Sequence, residues 1–229
     1  MTAPDRLPEL LEFAHADPAL AALLAEARAR DAAGALDPAH DTAHALRVAL
    51  WTLRLGGDAV DPREAVAAAL LHDAVHPPKD SPERPQASAR SAELARGRLA
   101  ALGFAPESCE RVALAIRDHS FSRGARPEGE LGRALQDADR LEALGAIGLL
   151  RCLGSGERMG AAWFDADDPW AEGRELDDRR FSIDHFFTKL LQLPATMRTA
   201  AGREEAERRA AFLRAFLARL AAEIDRPLP

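Results

Sequence analysis

Apolar positions along this chain recur every three or four residues, and acidic caps, prolines and glycines cut the recurrence into segments. Asp17-Pro18 opens one of them as an N-cap followed by proline at the first helical position. Leu20, Leu23, Leu24 and Ala27 then keep helical spacing up to Gly34. Asp37-Pro38 repeats the start signal and predicts a helix from Pro38 to Leu55, stopped by Gly56-Gly57. Val48, Trp51 and Leu55 share one face of it, while His40, His44 and Arg47 fall on one stripe at i, i+4 and i+7. Asp61-Pro62-Arg63-Glu64 is a third start, with Glu64 placed as in a capping box. The helix it opens is apolar nearly all round through Leu71, which predicts a central position, and Pro77-Pro78 stops it.

Residues 77 to 86 hold four prolines together with Lys79, Asp80, Glu83 and Arg84, a loop composition. Helical spacing resumes from about Gln86 to Gly103, and again from Pro106 to Asp118-His119-Ser120. After a turn-rich stretch at Gly124 to Gly129, residues Leu131 to Leu153 read as one helix. Gly145 and Gly148 within it each cost about 1 kcal/mol of helix propensity, so close helix packing is the expected reason for them. From Gly154 to Arg180 the period is lost among glycines, acids, Trp163 and Trp170; helical spacing returns at Ile183 to Leu193 and Arg203 to Ile224. No repeat, strand alternation or linker interrupts this pattern. The expectation is an all-α single domain over 1–229, with N-terminal helices in 1–36 packed on it and 154–182 an irregular lid or partner-facing loop.

Composition narrows the function classes. The chain is 47% hydrophobic and 29% charged, as ordinary globular proteins are, and long enough at 229 residues to bury a substantial core. A net charge of −7 argues against a broad grip on a nucleic-acid polymer, though not against a locally basic pocket. Two cysteines, Cys109 and Cys152, have no metal spacing, read as core residues and suggest a reducing compartment. No apolar stretch reaches membrane-span length and the first residues do not look like a leader, so a cytoplasmic protein is expected.

The candidate chemistry starts at Leu70-Leu71-His72-Asp73. An imidazole and a carboxylate at the end of so apolar a run are costly to bury unless they are paired or hold a cation. His44 on the preceding helix and Asp139 in an otherwise apolar helical stretch raise the count to two imidazoles and two carboxylates from three helices. Such a mixed nitrogen and oxygen set suits a divalent cation with positions left open.

The order His44, His72-Asp73, Asp139 resembles the H…HD…D signature of the HD-domain metal-dependent phosphohydrolase superfamily. The flanking words His44-Ala45-Leu46-Arg47-Val48, Leu70-Leu71-His72-Asp73 and Asp137-Ala138-Asp139-Arg140-Leu141 sharpen it. A branch of small bacterial HD proteins is similar further along, at His40-Asp41, Asp118-His119-Ser120-Phe121-Ser122, Leu144-Gly145-Ala146-Ile147-Gly148 and His185-Phe186-Phe187-Thr188-Lys189-Leu190. The resemblance implies an all-α bundle holding a divalent metal through His44, His72, Asp73 and Asp139; manganese, cobalt, nickel, magnesium, iron and zinc are not distinguished. Such an ion lowers the pKa of bound water and neutralises phosphoryl oxygens, so no protein nucleophile is required. Asp73 is then the residue that orients the attacking water or bridges to a second ion, and His119 contacts a second ion or the leaving phosphate. Two-metal relatives generally supply two further histidines before the last aspartate. Here His76 and His119 stand there; His76 reads as a loop histidine beside prolines, and one tight ion is favoured over two.

On the substrate side, Arg47, Lys79, Arg84, His185 and Lys189 are candidates to meet phosphate oxygens. Lys79 and Lys189 are the two lysines of a chain that otherwise uses arginine, and Lys189 lies one turn after His185. His40, Asp41 and Glu142 are expected beside the ligands, Glu142 because it lies three residues after Asp139 and faces the same way; Trp163 and Trp170 suit packing or a homodimer surface. The implied activity is cleavage of a phosphoester or phosphoanhydride of a small molecule, foremost a nucleotide, with nucleoside triphosphate pyrophosphohydrolysis as its sharpest form. A di-iron HD oxygenase and a non-enzymatic metal-stabilised sensor are the alternatives.

Overall fold

The computed structural model describes residues 3–33, 40–77, 81, 83–120 and 124–229, and nearly every segment delimited by the caps and prolines is a helix. Its chain contacts divide into two units, one ending at Asp139 and the other starting at Arg140. Among the described residues no strand forms; Ala162 and Phe181 make an isolated bridge. Among them, too, no helix is long and apolar enough to cross a membrane.

The first unit contains α1 (Leu7–Ala16), α2 (Pro18–Ala32), α3 (Thr42–Gly56), α4 (Pro62–Leu71), α5 (Ala87–Ala101) and α6 (Pro106–Asp118). It also takes in α7 (Gly129–Leu141) up to Asp139. Asp17 caps α2 by accepting from the Ala19 and Leu20 N–H groups, as its Asp-Pro signature requires. Asp61 does the same for α4 with Arg63 and Glu64. The capping box is half made: the Glu64 carboxylate turns to the Arg111 guanidinium on α6 instead of reaching back to its own cap. Residues Ala65 to Leu71 are at most 2% exposed, so α4 is the central helix its composition demands.

Several helix boundaries differ from those the sequence predicts. The Asp37-Pro38 start lies outside the described residues, and α3 begins at Thr42, where the Asp41 carboxylate accepts from the His44 N–H at 2.8 Å. His40 therefore precedes the helix, and the proposed stripe of His40, His44 and Arg47 does not exist. The expected single helix at 131–153 is two, because α7 ends at Leu141 and α8 runs Gly145–Arg158. Gly145 has φ +68°, a left-handed backbone that only glycine adopts cheaply, so it starts a new helix and does not weaken an old one. Gly148 does serve close approach: a Cβ there would lie 2.3 Å from the Ala143 carbonyl. Finally, α8 continues through Gly154 and Gly156 to Arg158, and close packing calls for the glycine at 156, where a Cβ would meet Ser182 Oγ at 2.1 Å.

The second unit adds α9 (Asp184–Thr188), a 3-10 segment (Leu190–Thr196) and α10 (Ala200–Glu223). The continuous helix expected over 183–193 is broken at Lys189, whose φ of −141° separates α9 from the 3-10 segment. Its core is built by Leu144, Ile183, Phe186, Leu193, Leu213 and Leu217, with Phe186 stacked on Phe216. The irregular stretch from Met159 to Ile183 is tied down: Asp165 and Asp168 each accept two backbone N–H groups. Trp170, 6% exposed, donates to the Arg226 carbonyl, whereas Trp163 is 68% exposed. Cys109 is buried as expected, and Cys152 is only partly buried.

Candidate metal centre

Two helix ends in the first unit are finished in the same way. At the end of α4, His72 turns its Nδ1 onto the Ala69 carbonyl at 2.7 Å; at the end of α6, His119 turns its Nδ1 onto the Ile116 carbonyl at 2.6 Å. A carbonyl only accepts, so both rings carry their proton on Nδ1 and present the Nε2 lone pair. The turn after His72 is anchored by the Ser91 hydroxyl, which accepts the Val75 N–H at 3.0 Å. Beside His119, the Gln136 amide donates to the Asp118 and Ala125 carbonyls.

These lone pairs converge with those of other elements. His44 Nε2, from the first turn of α3, is 3.2 Å from His72 Nε2 and 3.6 Å from Asp139 Oδ1 on α7. Asp73 Oδ2 is 3.4 Å from His72 Nε2 and 3.9 Å from His44 Nε2. The other oxygen, Oδ1, is 3.9 Å from His119 Nε2 and 3.8 Å from His76 Nδ1. Three sets each bring one ligand atom per residue within 4.8 Å of one another: His44, His72 and Asp139; His72, Asp73 and His119; His40, Asp73 and His76. His44, His72 and His119 are nearly fully buried, while the two carboxylates keep about a quarter of their surface open.

The electrostatics follow from that convergence. Burial works to raise the Asp73 carboxyl, but His72 foremost, a bond from His76, and His40 and His119 hold it well below the usual carboxylate range. Asp139 is likewise raised by burial and brought below the usual range by His72, His119 and His44. His119 moves down, first because it is buried and then because His72 is near, so it is neutral near pH 7. The donor set fits a divalent cation: imidazole nitrogens whose protons are parked on carbonyls, and carboxylates that stay ionised, face a common centre with an open side.

The remaining candidates divide. Asp41 caps the helix that carries His44, and His40 stacks on His76 with ring centres 3.8 Å apart. Arg47 lies one turn after His44 on α3. Arg84 donates through Nη1 to His76 Nε2 and to the Pro77 carbonyl, both at 2.9 Å, which brings it to the cluster's edge. Lys79 lies outside the described residues. Glu142 follows the end of α7 instead of sharing a face with Asp139, and its buried carboxylate faces Arg151 at 3.7 Å within the second unit. His185, in that unit too, is bound through Nδ1 to Asp178 at 2.8 Å. Lys189 leaves the helix, with φ −141°, so it does not share a helical face with His185. The residue the sequence reading undervalued is His76. Its place three residues after Asp73, in a chain that must turn before Pro77-Pro78, was the available signal.

The chain is similar to known proteins. The family model of the HD domain matches residues 42–144, which contain all four of the candidate ligands. The Bacillus subtilis (strain 168) protein YpgQ is 33% identical over 191 residues, 81% of this chain and 84% of YpgQ. The crystal structure of YpgQ in complex with ADP has a TM-score of 0.67 at 26% identity, covering 88% of this chain and 96% of that one. An HD-superfamily hydrolase from Bacillus thuringiensis has a TM-score of 0.62 at 26% identity, covering 96% of both chains. The chain belongs to the HD-domain superfamily.

Proposed function

We propose that this chain is a metal-dependent phosphohydrolase that cleaves a phosphoester or phosphoanhydride of a nucleotide. The observation that carries the reading is that His44, His72 and Asp139 bring ligand atoms within 4.8 Å of one another, with Asp73 Oδ2 3.4 Å from the shared His72 Nε2. Nucleotide as substrate class is supported by YpgQ, a relative solved in complex with ADP. Nucleoside triphosphate pyrophosphohydrolysis is the sharpest form of the proposal.

His44 Nε2, His72 Nε2, Asp139 Oδ1 and Asp73 Oδ2 would hold the cation. When bound, a divalent ion there neutralises phosphoryl oxygens and acidifies water. Asp73 Oδ1, on the other side of the same carboxylate, would orient the attacking water toward phosphorus. His119, neutral and with its Nε2 lone pair 3.9 Å from that oxygen, would take the water's proton. Arg84 and Arg47 would meet the phosphate oxygens not under attack.

The test is a panel of nucleoside mono-, di- and triphosphates with Mn2+, Co2+ or Ni2+, scored for phosphate and pyrophosphate. Release of either product from at least one nucleotide is expected. Asp73→Ala should lower kcat/KM by at least about a hundredfold, about 2.7 kcal/mol. Unchanged turnover in that variant overturns the assignment. A second reading, a di-iron oxygenase, has the proximity of His119 to the His72-Asp73 pair in its favour. Two tightly held irons per chain with visible absorption would favour it over hydrolysis.

A further inference from the structure

The cavity that reaches His44, His72 and Asp73 is also lined by Arg30, Asp31 and Thr42, which the proposed chemistry does not use. Among the described residues, three side-chain atoms here are buried and have no hydrogen-bond partner: Arg30 Nε, Asp31 Oδ1 and Thr42 Oγ1. The fold fixes each of them through another atom of the same residue. Arg30 Nη2 donates to the Leu70 carbonyl at 3.2 Å, tying α2 to the end of α4 just before His72. Asp31 Oδ2 accepts the Thr42 N–H at 3.0 Å, tying α2 to the start of α3 just before His44. Thr42 is 7% exposed.

What is left over is one N–H donor, one carboxylate acceptor and one hydroxyl able to do either. Leaving such atoms buried and unbonded costs about 1–3 kcal/mol each, so three around one cavity mark a place for a polar group. About 20 Å3 of the cavity admits the centre of a water-sized group, which is room for at least a single oxygen. A phosphoryl oxygen would also meet the Asp31 carboxylate. A hydroxyl satisfies every constraint: it donates to Asp31 Oδ1 and accepts from Arg30 Nε–H or Thr42 Oγ–H.

We propose that this niche takes a sugar hydroxyl of the substrate, next to its phosphate chain, and so favours a hydroxylated nucleotide over its deoxy analogue. The inference rests on the nucleotide phosphohydrolase reading, because hydroxyl and phosphate must occupy one cavity. Arg30 and Asp31 precede the segment matched by the HD domain, so the selectivity would be added by the N-terminal helices. A water molecule is the other source of the same chemistry.

The experiment compares ATP, 2′-deoxy-ATP and 3′-deoxy-ATP by kcat/KM with the Mn2+-loaded protein. Alongside it, calorimetry measures binding of AMP and its two deoxy forms without turnover. Wild type should favour the hydroxylated form over at least one deoxy form by about tenfold or more in both assays. Asp31→Asn and Thr42→Val should bring that ratio within about twofold of one, while Thr42→Ser, which keeps the hydroxyl, retains it; melting curves check that each variant is folded. A wild-type ratio near one, or a ratio unmoved in the variants while absolute values fall, means the niche holds water only and overturns the proposal. Nucleotides bound but never cleaved would defeat the phosphohydrolase reading while the binding ratios still decide the niche. Failure of every nucleotide to bind would overturn both.

Discussion

The two units each bury a group of charges, and they do it in opposite ways. In the second, the fully buried Asp184 carboxylate accepts from Arg174 Nη1 and Nη2 at 2.5 and 2.9 Å and from the Asp177 N–H at 2.7 Å. Donors meet acceptors there, and the group is closed. In the first, His72 and His119 spend their protons on carbonyls and turn lone pairs toward ionised carboxylates and toward His44. Apart from the bond that His76 gives Asp73, the acceptors of His72 and His119 face carboxylate acceptors, and such a group is satisfied by a cation from outside. Buried charge is therefore a poor guide to function by itself; which atoms are left over after the internal bonds are made is the better one.

The largest effect that sharpens this contrast is on the closed group. Asp184→Ala removes the carboxylate acceptor of the Asp177 N–H and of Arg174, which is one-fifth exposed and keeps bonds to the Asp168 and Glu175 carbonyls. It should lower unfolding free energy by about 3 kcal/mol in a denaturant titration. Mn2+ affinity should stay within about threefold of wild type by calorimetry. A loss of metal binding as large as the loss of stability would dissolve the distinction. The open group should answer to the ion instead. At a hundred times its dissociation constant, Mn2+ should raise wild-type stability by about 2.7 kcal/mol. His72→Ala should abolish that gain and Asp184→Ala should keep it. An equal gain in all three proteins would show that the ion binds elsewhere.

Much of this contrast could be read from residue order, and the part that could not has physical reasons. His72-Asp73 after seven small or aliphatic residues, and Asp139 amid an apolar period, are anomalies that burial makes costly, so they point to a site before any coordinates exist. The capped starts of α2 and α4 were legible because Asp-Pro states both the cap and the first turn. Asp41 misled, because two Asp-containing starts four residues apart compete and spacing does not choose between them. Gly145 misled because a left-handed glycine and a packed one look alike in a helical period. Glu142 misled because its distance from Asp139 means a shared face only if the helix continues, and α7 stops at Leu141. Arg30 and Asp31 were invisible: nothing in sequence says that the end of α2 meets the first residue of α3.

A third charge pair sets the small end of the scale. Asp17 is closed like Asp184 but stands nearer to solvent: it caps α2 and accepts from Arg63 Nε at 2.7 Å, with a quarter of the carboxylate and over a third of the arginine exposed. Burial works to raise its carboxyl, but the Arg63 bond and the Leu20 and Ala19 N–H groups prevail and hold it below the usual range. A carboxylate whose pKa is lowered on folding stabilises the protein above its unfolded value, near pH 4, and loses that contribution as pH falls through the folded value. Asp17→Asn keeps a cap and removes the charge, so solvent screening limits its cost to about 0.5 kcal/mol at pH 7. That difference between variant and wild type should shrink as pH falls below about 4, where the wild-type carboxylate is protonated as well. Denaturant midpoints across pH 3 to 7 measure it. A cost at pH 7 approaching that of Asp184→Ala would mean that exposure does not set the worth of a closed pair, and the contrast between the two units would then need another cause than which atoms their internal bonds leave over.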